Sequence, residues 1–121
     1  MSKLILVVED QEDNRRILRD LLTNSGYEVI EAINGVEGVS SAETYRPDMI
    51  LMDIQLPGID GYEATRQIKA NPDLQKIPII VVTSYALSGD DLKAFEAGCD
   101  AYVAKPFSPR ELLAKIREYL P

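Results

Sequence analysis

Short runs of apolar residues alternate with stretches of helical periodicity along all 121 residues, and no other feature of the chain constrains its fold more. The runs with strand character cover residues 4–8, 28–32, 49–52, 77–82 and 101–104. The first, third and fourth runs are nearly continuous in apolar residues, as parallel strands covered on both faces are. The run at 28–32 alternates apolar with charged residues, which is typical of an edge strand.

The gaps between these runs carry the start and stop signals of helices. Gly26 and Gly98 are placed to end the first and fourth helices, and the pair Asn71-Pro72 stops the third. The openings of the last four helices are Asn34-Gly35, the capping box Asp60-Gly61-Tyr62-Glu63, Ser88-Gly89, and Ser108-Pro109-Arg110-Glu111. We expect the second helix to run to about Tyr45 and the last to about Leu120.

The pattern predicts an α/β fold of the (βα)₅ type, which is a doubly wound, five-stranded parallel sheet with right-handed crossovers and helices on both faces. At this length we expect a single domain over residues 1–121, without an output domain. In such a sheet, ligands bind beyond the carboxyl ends of the strands, where the strand order reverses. The residues that follow each strand are therefore the candidates for function.

Three carboxylates, a hydroxyl and an ammonium follow these strands. Glu9 and Asp10 come after the first strand, Asp53 after the third, Thr83 ends the fourth, and Lys105 follows the fifth. Two like charges about 4 Å apart repel by roughly 4 kcal/mol at an effective dielectric of about 20, so clustered carboxylates need a cation or raised pKa values. Oxygen ligands without nitrogen or sulfur favour Mg²⁺ or a similar hard ion.

A carboxylate beside Mg²⁺ and a lysine is a plausible nucleophile toward phosphorus, and aspartyl-phosphate is a known type of covalent intermediate. Asp53 would be that nucleophile. The metal, Lys105 and Thr83 would stabilise charge on the oxygens of the transferring phosphoryl group.

Composition excludes several other chemistries. The chain has no His and one Cys, which excludes a Ser-His-Asp triad, a Cys-His pair, an imidazole metal ligand and an internal disulfide. The formal charge of −7 argues against nucleic acid or an anionic membrane as the main partner. No segment approaches the roughly 18 apolar residues of a membrane span, and no signal peptide is evident. Together with the lone thiol, this favours a cytoplasmic location.

These motifs, taken in order, resemble a family: the response-regulator receiver domain of two-component signalling, and within it the stand-alone receivers. The matching segments are Val8-Glu9-Asp10, Leu51-Met52-Asp53-Ile54-Gln55-Leu56-Pro57-Gly58, Asp60-Gly61, Val82-Thr83-Ser84, Gly98-Cys99-Asp100-Ala101-Tyr102 and Lys105-Pro106-Phe107. The resemblance covers essentially the whole chain. It implies a flavodoxin-like sheet of strand order 2-1-3-4-5 and a cis Lys105-Pro106 bond.

The resemblance also implies a role for each site residue. Asp53 would accept a phosphoryl group from a phosphohistidine of a sensor kinase or a phosphotransfer protein. Asp10 and Asp53 would bind Mg²⁺ directly, Glu9 through a metal-bound water, and Gln55 through its backbone carbonyl. Thr83 and Lys105 would bind the phosphoryl oxygens. Tyr102 would be a switch aromatic that moves inward with Thr83, although taken alone it is the kind of residue that packs half-buried.

The same resemblance leads us to expect a signalling module whose covalent state matters, not a turnover enzyme. Its output would be phosphorylation-dependent binding of an effector protein through the fourth helix, fifth strand and fifth helix. On the first helix, Asn14, Arg15 and Arg16 are expected to face outward, either touching the kinase or forming only a solvated face. Gln55 and Tyr85 flank the path of attacking water, and we hypothesise that they slow hydrolysis of the acyl phosphate.

Other functions remain open from the residues alone. A degenerate receiver would act as a phosphorylation-independent binding platform, but such proteins usually lose an acid-pair residue, the acceptor Asp or the Lys. An aspartyl phosphatase would want a second acid two residues after Asp53, where Gln55 stands. A flavin carrier of the same fold needs an anion-binding nest, whereas the loop Glu9-Asp10-Gln11-Glu12-Asp13 is acidic.

Overall fold

Five parallel strands form one sheet in the computed structural model, which describes residues 2–83 and 90–121. The strands are β1 (Leu4–Val8), β2 (Glu28–Ala32), β3 (Met49–Asp53), β4 (Ile79–Thr83) and β5 (Ala101–Ala104). The helices are α1 (Glu12–Asn24), α2 (Gly35–Tyr45), α3 (Gly61–Ala70), α4 (Asp90–Ala97) and α5 (Pro109–Tyr119). The strand order is β2-β1-β3-β4-β5, so the predicted doubly wound (βα)₅ fold of order 2-1-3-4-5 is confirmed.

The register aligns the carboxyl ends of the strands along one rim of the sheet. Val8 pairs with Ala32 on one side and with Met52 on the other, while Thr83 pairs with Ala104. The residues that follow each strand therefore emerge at the same edge, and the strand order reverses there between β1 and β3.

Two apolar layers cover the sheet, one on each face, and they bury its central strands on both sides. Alternate residues point to opposite faces: Leu6 and Val8 of β1 belong to one layer, and Ile5 and Val7 to the other. The first layer contains buried residues of α2, α3 and α4, and the second contains buried residues of α1 and α5. Helices thus lie on both faces, as the continuous apolar runs of β1, β3 and β4 predict.

The predicted element boundaries are confirmed to within about two residues. β3 is one residue longer than predicted, so Asp53 itself ends the strand. β4 spans Ile79–Thr83 and not 77–82. Ile77 belongs to the preceding turn, because its N–H donates to the carbonyl of Leu74 at 3.0 Å, and Pro78 has no N–H to donate to a neighbouring strand.

Side-chain caps begin three of the helices where the sequence predicts them. The side chains of Asn34, Asp60 and Ser108 accept hydrogen bonds from the N–H groups three residues later, at 2.8, 2.9 and 3.1 Å. Gly26 and Gly98 follow the ends of α1 and α4 at φ values of +93° and +109°, which glycine adopts most readily. The predicted opening of the fourth helix at Ser88-Gly89, like Ser84 and Tyr85, lies outside the described residues.

None of the helices within residues 2–83 and 90–121 is both long enough and apolar enough to cross a membrane.

Candidate functional site

Three carboxylates meet at the rim where β1 and β3 end. Glu9 and Asp10 follow β1, and Asp53 is the last residue of β3. One carboxylate oxygen from each residue lies within 4.8 Å of the corresponding oxygens of the other two. These are the three acids that the sequence analysis selected, and the sheet register places them together because β1 and β3 are adjacent parallel strands.

Glu9 is almost completely buried, with 2 % of its surface exposed. Its Oε1 atom accepts a hydrogen bond from Lys105 Nζ at 3.0 Å, and its Oε2 atom accepts one from the backbone N–H of Gln11 at 3.0 Å. Burial raises the pKa of Glu9, but the Gln11 N–H and Lys105 outweigh it and hold the pKa below its ordinary value. Glu9 is therefore ionised at neutral pH despite its burial.

Asp53 is less well neutralised than Glu9. Its Oδ1 atom accepts a hydrogen bond from the Ile54 N–H at 2.8 Å, whereas its Oδ2 atom lies 3.7 Å from Lys105 Nζ. Burial, which is the larger cause, and the charge of Glu9 raise the pKa of Asp53 to about 6, although Lys105 opposes the rise. Of the carboxyl groups of Glu9 and Asp53, that of Asp53 binds a proton more readily when no metal is present.

Thr83 ends β4 and Lys105 follows β5, so both residues lie across β3 from Glu9 and Asp10. Thr83 is fully buried at the end of β4, and its carbonyl accepts a hydrogen bond from the Lys105 N–H at 2.7 Å. The Lys105-Pro106 peptide bond is cis, as the resemblance implies. The backbones of the two residues are therefore tied together at the rim, while the Lys105 ammonium reaches across to Glu9.

The remaining predicted residues lie nearby, but their roles stay predictions. Gln55 is exposed on the loop that follows β3, two residues beyond Asp53. Tyr102 is half-buried in the edge strand β5 and packs against the apolar layer beneath α2, α3 and α4. The hypothesis of shielding by Tyr85 lies outside the described residues.

The donor set fits a hard divalent cation. Three carboxylates supply oxygen atoms that lie close enough to share one ion, and the group includes neither imidazole nor thiolate. The same negative charges repel one another without a cation, and the charge of Glu9 adds to burial, the larger cause, in raising the pKa of Asp53. Beside such an ion and Lys105, a carboxylate can act as a nucleophile toward phosphorus.

One residue of α1 does not lie where the sequence analysis placed it, and a second is more exposed than its helical spacing suggests. Arg15 was expected to face outward, but its side chain is only 15 % exposed and turns back toward the site, where it contacts Glu9 and Glu31. Ile17 lies in the apolar stripe that Ile17, Leu18, Leu21 and Leu22 form at helical spacing, yet it is 60 % exposed. Helical periodicity does not distinguish the centre of an apolar face from its edge, and it carries no signal for contacts between an arginine and a distant strand.

Ile17 borders an apolar groove of about 500 Å³ beside the acids. The groove lies between α1 and the segment that connects β5 to α5. Its lining residues are Glu9, Asn14, Ile17, Leu18, Leu21, Lys105, Pro106, Phe107 and Pro109. It therefore leads from an exposed apolar surface directly to the Glu9–Lys105 pair.

The fold and the site together define a class of signalling protein, the receiver, and comparison with known proteins agrees. The family model described as "Response regulator receiver domain" matches residues 5–117. A curated relative is the polar-differentiation response regulator DivK of Brucella anthropi, which is 44% identical over 120 residues, or 99% of this chain and 98% of the relative.

Solved structures show the same similarity. The receiver domain of a sensor histidine kinase from Pseudomonas aeruginosa PAO1, solved with magnesium coordinated in its active-site cleft, is 40% identical. Its TM-score is 0.93, with 99% of this chain and 98% of that chain covered. The BeF3-activated DrrB receiver domain is 30% identical, with a TM-score of 0.88 and the same coverage of 99% and 98%.

This chain belongs to the response regulator receiver domain family. It is a phosphorylation-dependent module of two-component signalling, not a turnover enzyme, and its phosphodonor is a histidine kinase. The acids that a degenerate receiver usually lacks are present and lie together, with Lys105 beside them.

Proposed function

We propose that Asp53 accepts the phosphoryl group from a phosphohistidine of a sensor kinase or phosphotransfer protein. One observation carries the proposal. Carboxylate oxygens of Asp53, Glu9 and Asp10 lie within 4.8 Å of one another, and Lys105 Nζ lies 3.7 Å from Asp53 Oδ2. A carboxylate oxygen of Asp53 attacks phosphorus as the P–N bond to the donor imidazole breaks. The electron pair of that bond stays on the imidazole nitrogen, which takes a proton, and an acyl phosphate forms on Asp53.

The reaction is proposed to need Mg²⁺. Asp10 and Asp53 would bind the ion directly, Glu9 through a metal-bound water, and Gln55 through its backbone carbonyl. When bound, the ion neutralises the carboxylates and the charge on the phosphoryl oxygens. The similar Pseudomonas receiver, whose cleft contains magnesium, supports this assignment, as does the all-oxygen donor set.

Lys105 and Thr83 are proposed to bind the phosphoryl oxygens. The Lys105 ammonium lies 3.7 Å from Asp53 Oδ2, within reach of a group attached to that carboxylate. The Thr83 backbone is fixed to that of Lys105 by the 2.7 Å hydrogen bond, which supports a shared role for the two residues at this rim. The ammonium and the hydroxyl both act by binding oxygens on which charge accumulates during transfer.

Mass spectrometry after incubation with Mg²⁺ and acetyl phosphate or phosphoramidate tests the proposal. We expect the wild type to gain the mass of one phosphoryl group, and we expect no gain in Asp53→Asn or in EDTA. The matched control is Asp13→Asn, because Asp13 is 88 % exposed and its partner is Arg16 on the same helix. A wild type that gains no mass with any donor would contradict the proposal and favour the phosphorylation-independent platform.

The apolar groove is proposed as the surface that the protein donor uses. An exposed apolar patch that leads to a reactive site is a common form of protein interface. In Ile17→Ser we expect slower transfer from the phosphorylated kinase or phosphotransfer protein and an unchanged rate with acetyl phosphate. Val36→Ser is the control, since Val36 is 62 % exposed on α2, away from the groove. Equal rates for the two variants with the protein donor would contradict this role.

Output is proposed to occur by effector binding to α4, β5 and α5, with Thr83 and Tyr102 as the switch. Leu92 and Phe95 of α4 are 63 % and 49 % exposed, which leaves apolar surface for a partner. A second groove of about 500 Å³ includes Tyr102 and residues of α5. We expect the phosphoryl analogue beryllofluoride to change hydrogen exchange in residues 92–104 and to leave α2 unchanged. Exchange that is unaltered at 92–104 would contradict the switch.

A further inference from the structure

Arg15 connects the site to the edge of the sheet. Its guanidinium donates a hydrogen bond from Nη1 to the backbone carbonyl of Glu9 at 2.9 Å. The Nε atom of the same side chain lies 3.3 Å from Oε1 of Glu31 on β2. One planar cation thus contacts a backbone oxygen between two site acids and a carboxylate on the neighbouring strand.

The turn between β1 and α1 is held from within by the hydrogen bond from the Gln11 N–H to Glu9, and from outside by contacts to the backbone of Glu9. Gln11 is the N-cap of α1. Within the described residues, which include the whole first turn of this helix, the Gln11 side chain accepts no capping hydrogen bond. The two peptide groups on either side of Glu9 are each held by one contact. In the peptide from Val8, the Glu9 N–H donates to the carbonyl of Ala32 on β2 at 3.0 Å, and in the peptide to Asp10, the Glu9 carbonyl accepts from Arg15 on α1 at 2.9 Å. Arg15 therefore binds the backbone oxygen that lies between the two site acids Glu9 and Asp10.

We propose that Arg15, oriented by Glu31, is a positioning residue that fixes the Glu9–Asp10 peptide so that both carboxylates face Asp53 in the geometry that binds Mg²⁺. This inference rests on the proposed function. Arg15 contacts no carboxylate of the cluster, and its effect passes through the backbone of Glu9. Partners of metal ligands often set affinity in this way, and their loss typically weakens metal binding by about 10- to 100-fold.

The direction in which the Mg²⁺ affinity changes when Arg15 is replaced distinguishes a positioning role from a purely electrostatic one. Arg15 carries a positive charge near a cation site, so its removal would by itself make Mg²⁺ bind more tightly. Loss of a positioning contact has the opposite effect, because Glu9 and Asp10 would then sample orientations that do not converge on Asp53. We therefore expect weaker Mg²⁺ binding in Arg15→Gln, by about tenfold, in spite of the favourable change in charge.

Arg19 offers a matched control. It also pairs with Glu31, at 2.8 Å, and its side chain is 44 % exposed. Among the contacts of the described residues, it makes none with Glu9. Arg19→Gln removes the same charge from the same helix and one of the two arginine partners of Glu31, but it leaves Arg15 bound to Glu31 and to the carbonyl of Glu9. Its Mg²⁺ affinity should equal or slightly exceed that of the wild type.

Two further variants test the geometry of the guanidinium. Arg15→Lys keeps the charge, but a single ammonium cannot reproduce the fork that meets the Glu9 carbonyl and Glu31 together. It should show intermediate affinity. Glu31→Gln leaves Arg15 in place and removes the carboxylate that orients it, so it should weaken Mg²⁺ binding less than Arg15→Gln does.

The experiment measures the Mg²⁺ dissociation constant by titration calorimetry for the wild type and the four variants, alongside thermal unfolding in EDTA. The inference predicts a dissociation constant about tenfold higher for Arg15→Gln and unchanged or lower for Arg19→Gln. An Arg15→Gln protein that is folded in EDTA and binds Mg²⁺ as tightly as the wild type would overturn the inference alone. If Arg15→Gln is unfolded, Arg15→Lys and Glu31→Gln decide the question by the same criterion. A wild type that binds no Mg²⁺ would instead overturn the metal-dependent function on which the inference rests.

Discussion

The ammonium of Lys105 lies 3.0 Å from Oε1 of Glu9, and this pair joins the fifth strand to the first across the rim of the sheet. The same ammonium is 3.7 Å from Asp53, so the single lysine neutralises the buried Glu9 better than it neutralises Asp53. Without a metal, the three carboxylates of the site therefore outnumber its one ammonium, and Asp53 is less well neutralised than Glu9. This imbalance has consequences that can be measured in the metal-free protein.

Asp53→Asn should stabilise the metal-free protein at neutral pH, because it removes an unfavourable buried charge. The folded pKa of about 6 lies above the ordinary value of 3.8, so wild-type Asp53 favours folding when protonated. That favourable contribution is complete below the unfolded pKa and is lost as the pH rises through the folded pKa. The full shift would correspond to ~3 kcal/mol, and partial exposure of the site lowers our expectation to about 1–2 kcal/mol.

Urea unfolding in EDTA at several pH values checks this prediction. The stability advantage of Asp53→Asn should be small near pH 4, grow between about pH 4 and 6, and level off above that range. Asp13→Asn should show no such trend, because Asp13 is exposed. A mutant less stable than the wild type at pH 7.5 would contradict the clustered-acid description of the site.

Lys105→Met should bind Mg²⁺ more tightly and accept a phosphoryl group more slowly than the wild type. The ion would no longer compete with an ammonium for Glu9, so we expect a gain of roughly tenfold in affinity. In EDTA the variant should be less stable by about 3 kcal/mol, because Glu9 is left buried without its partner. Lys115→Met is a suitable control, since Lys115 pairs with Glu118 on the exposed face of α5. Weaker Mg²⁺ binding in Lys105→Met would contradict the assigned charge balance.

Most of the fold could be predicted from the sequence because its signals are local. Period-two and continuous apolar runs mark strands, and the caps at Asn34, Asp60 and Ser108 mark helix starts within one residue. Adjacent parallel strands then force Glu9, Asp10 and Asp53 to the same rim whatever the details of packing. The resemblance to receivers added the strand order and the cis bond before Pro106, which local patterns do not specify.

The contacts that could not be predicted are long-range and involve flexible side chains. The position of Arg15 on α1 is compatible with a side chain in solvent or with one that contacts Glu31. Which of the two occurs depends on how α1 packs against β2. The exposure of Ile17 depends on how the segment around Phe107 packs against α1. In the structure an open groove lies between them, and Ile17 borders it. Which carboxylate Lys105 approaches more closely is likewise decided by the fold of three separate segments.

A second charged contact, far from the acids, should matter for stability alone. Oδ2 of Asp100 accepts hydrogen bonds from Lys69 Nζ at 2.9 Å and from the Ile79 N–H at 2.8 Å. Lys69 Nζ also donates to the carbonyls of Gln75 and Ile77. Asp100→Ala would leave the Lys69 charge and the Ile79 N–H without this partner, and we expect it to lower the free energy of unfolding by about 2–3 kcal/mol.

Asp73→Ala provides the comparison for this prediction. Asp73 pairs with Arg46 at 3.5 Å in an exposed position, so its loss should change the stability by less than about 0.5 kcal/mol. The phosphorylation rate of folded Asp100→Ala should match that of the wild type, since Asp100 precedes β5 at the end opposite the acids. Equal stabilities of the two variants in urea unfolding would show that the Asp100 contacts contribute no more than a surface pair.

Gly61→Ala should both destabilise the protein and impair phosphorylation, because the first residue of α3 packs directly on the end of β3. A Cβ atom at Gly61 would lie 2.1 Å from the backbone oxygen of Asp53 and 2.8 Å from the Cα of Ile54, so backbone atoms would have to move. We expect the free energy of unfolding to fall by about 3 kcal/mol or more, beyond the usual range for overpacking, together with slower transfer to Asp53.

Gly26→Ala tests the alternative that any glycine replacement has this effect. Gly26 has a φ of +93°, and no atom lies within 4 Å of the position that an added Cβ would occupy, so only backbone strain of about 1 kcal/mol should result, with an unchanged phosphorylation rate. Urea unfolding and the rate of mass gain with acetyl phosphate measure both effects, and a Gly61→Ala protein that matches Gly26→Ala in stability and rate would rule out a tight contact between α3 and Asp53.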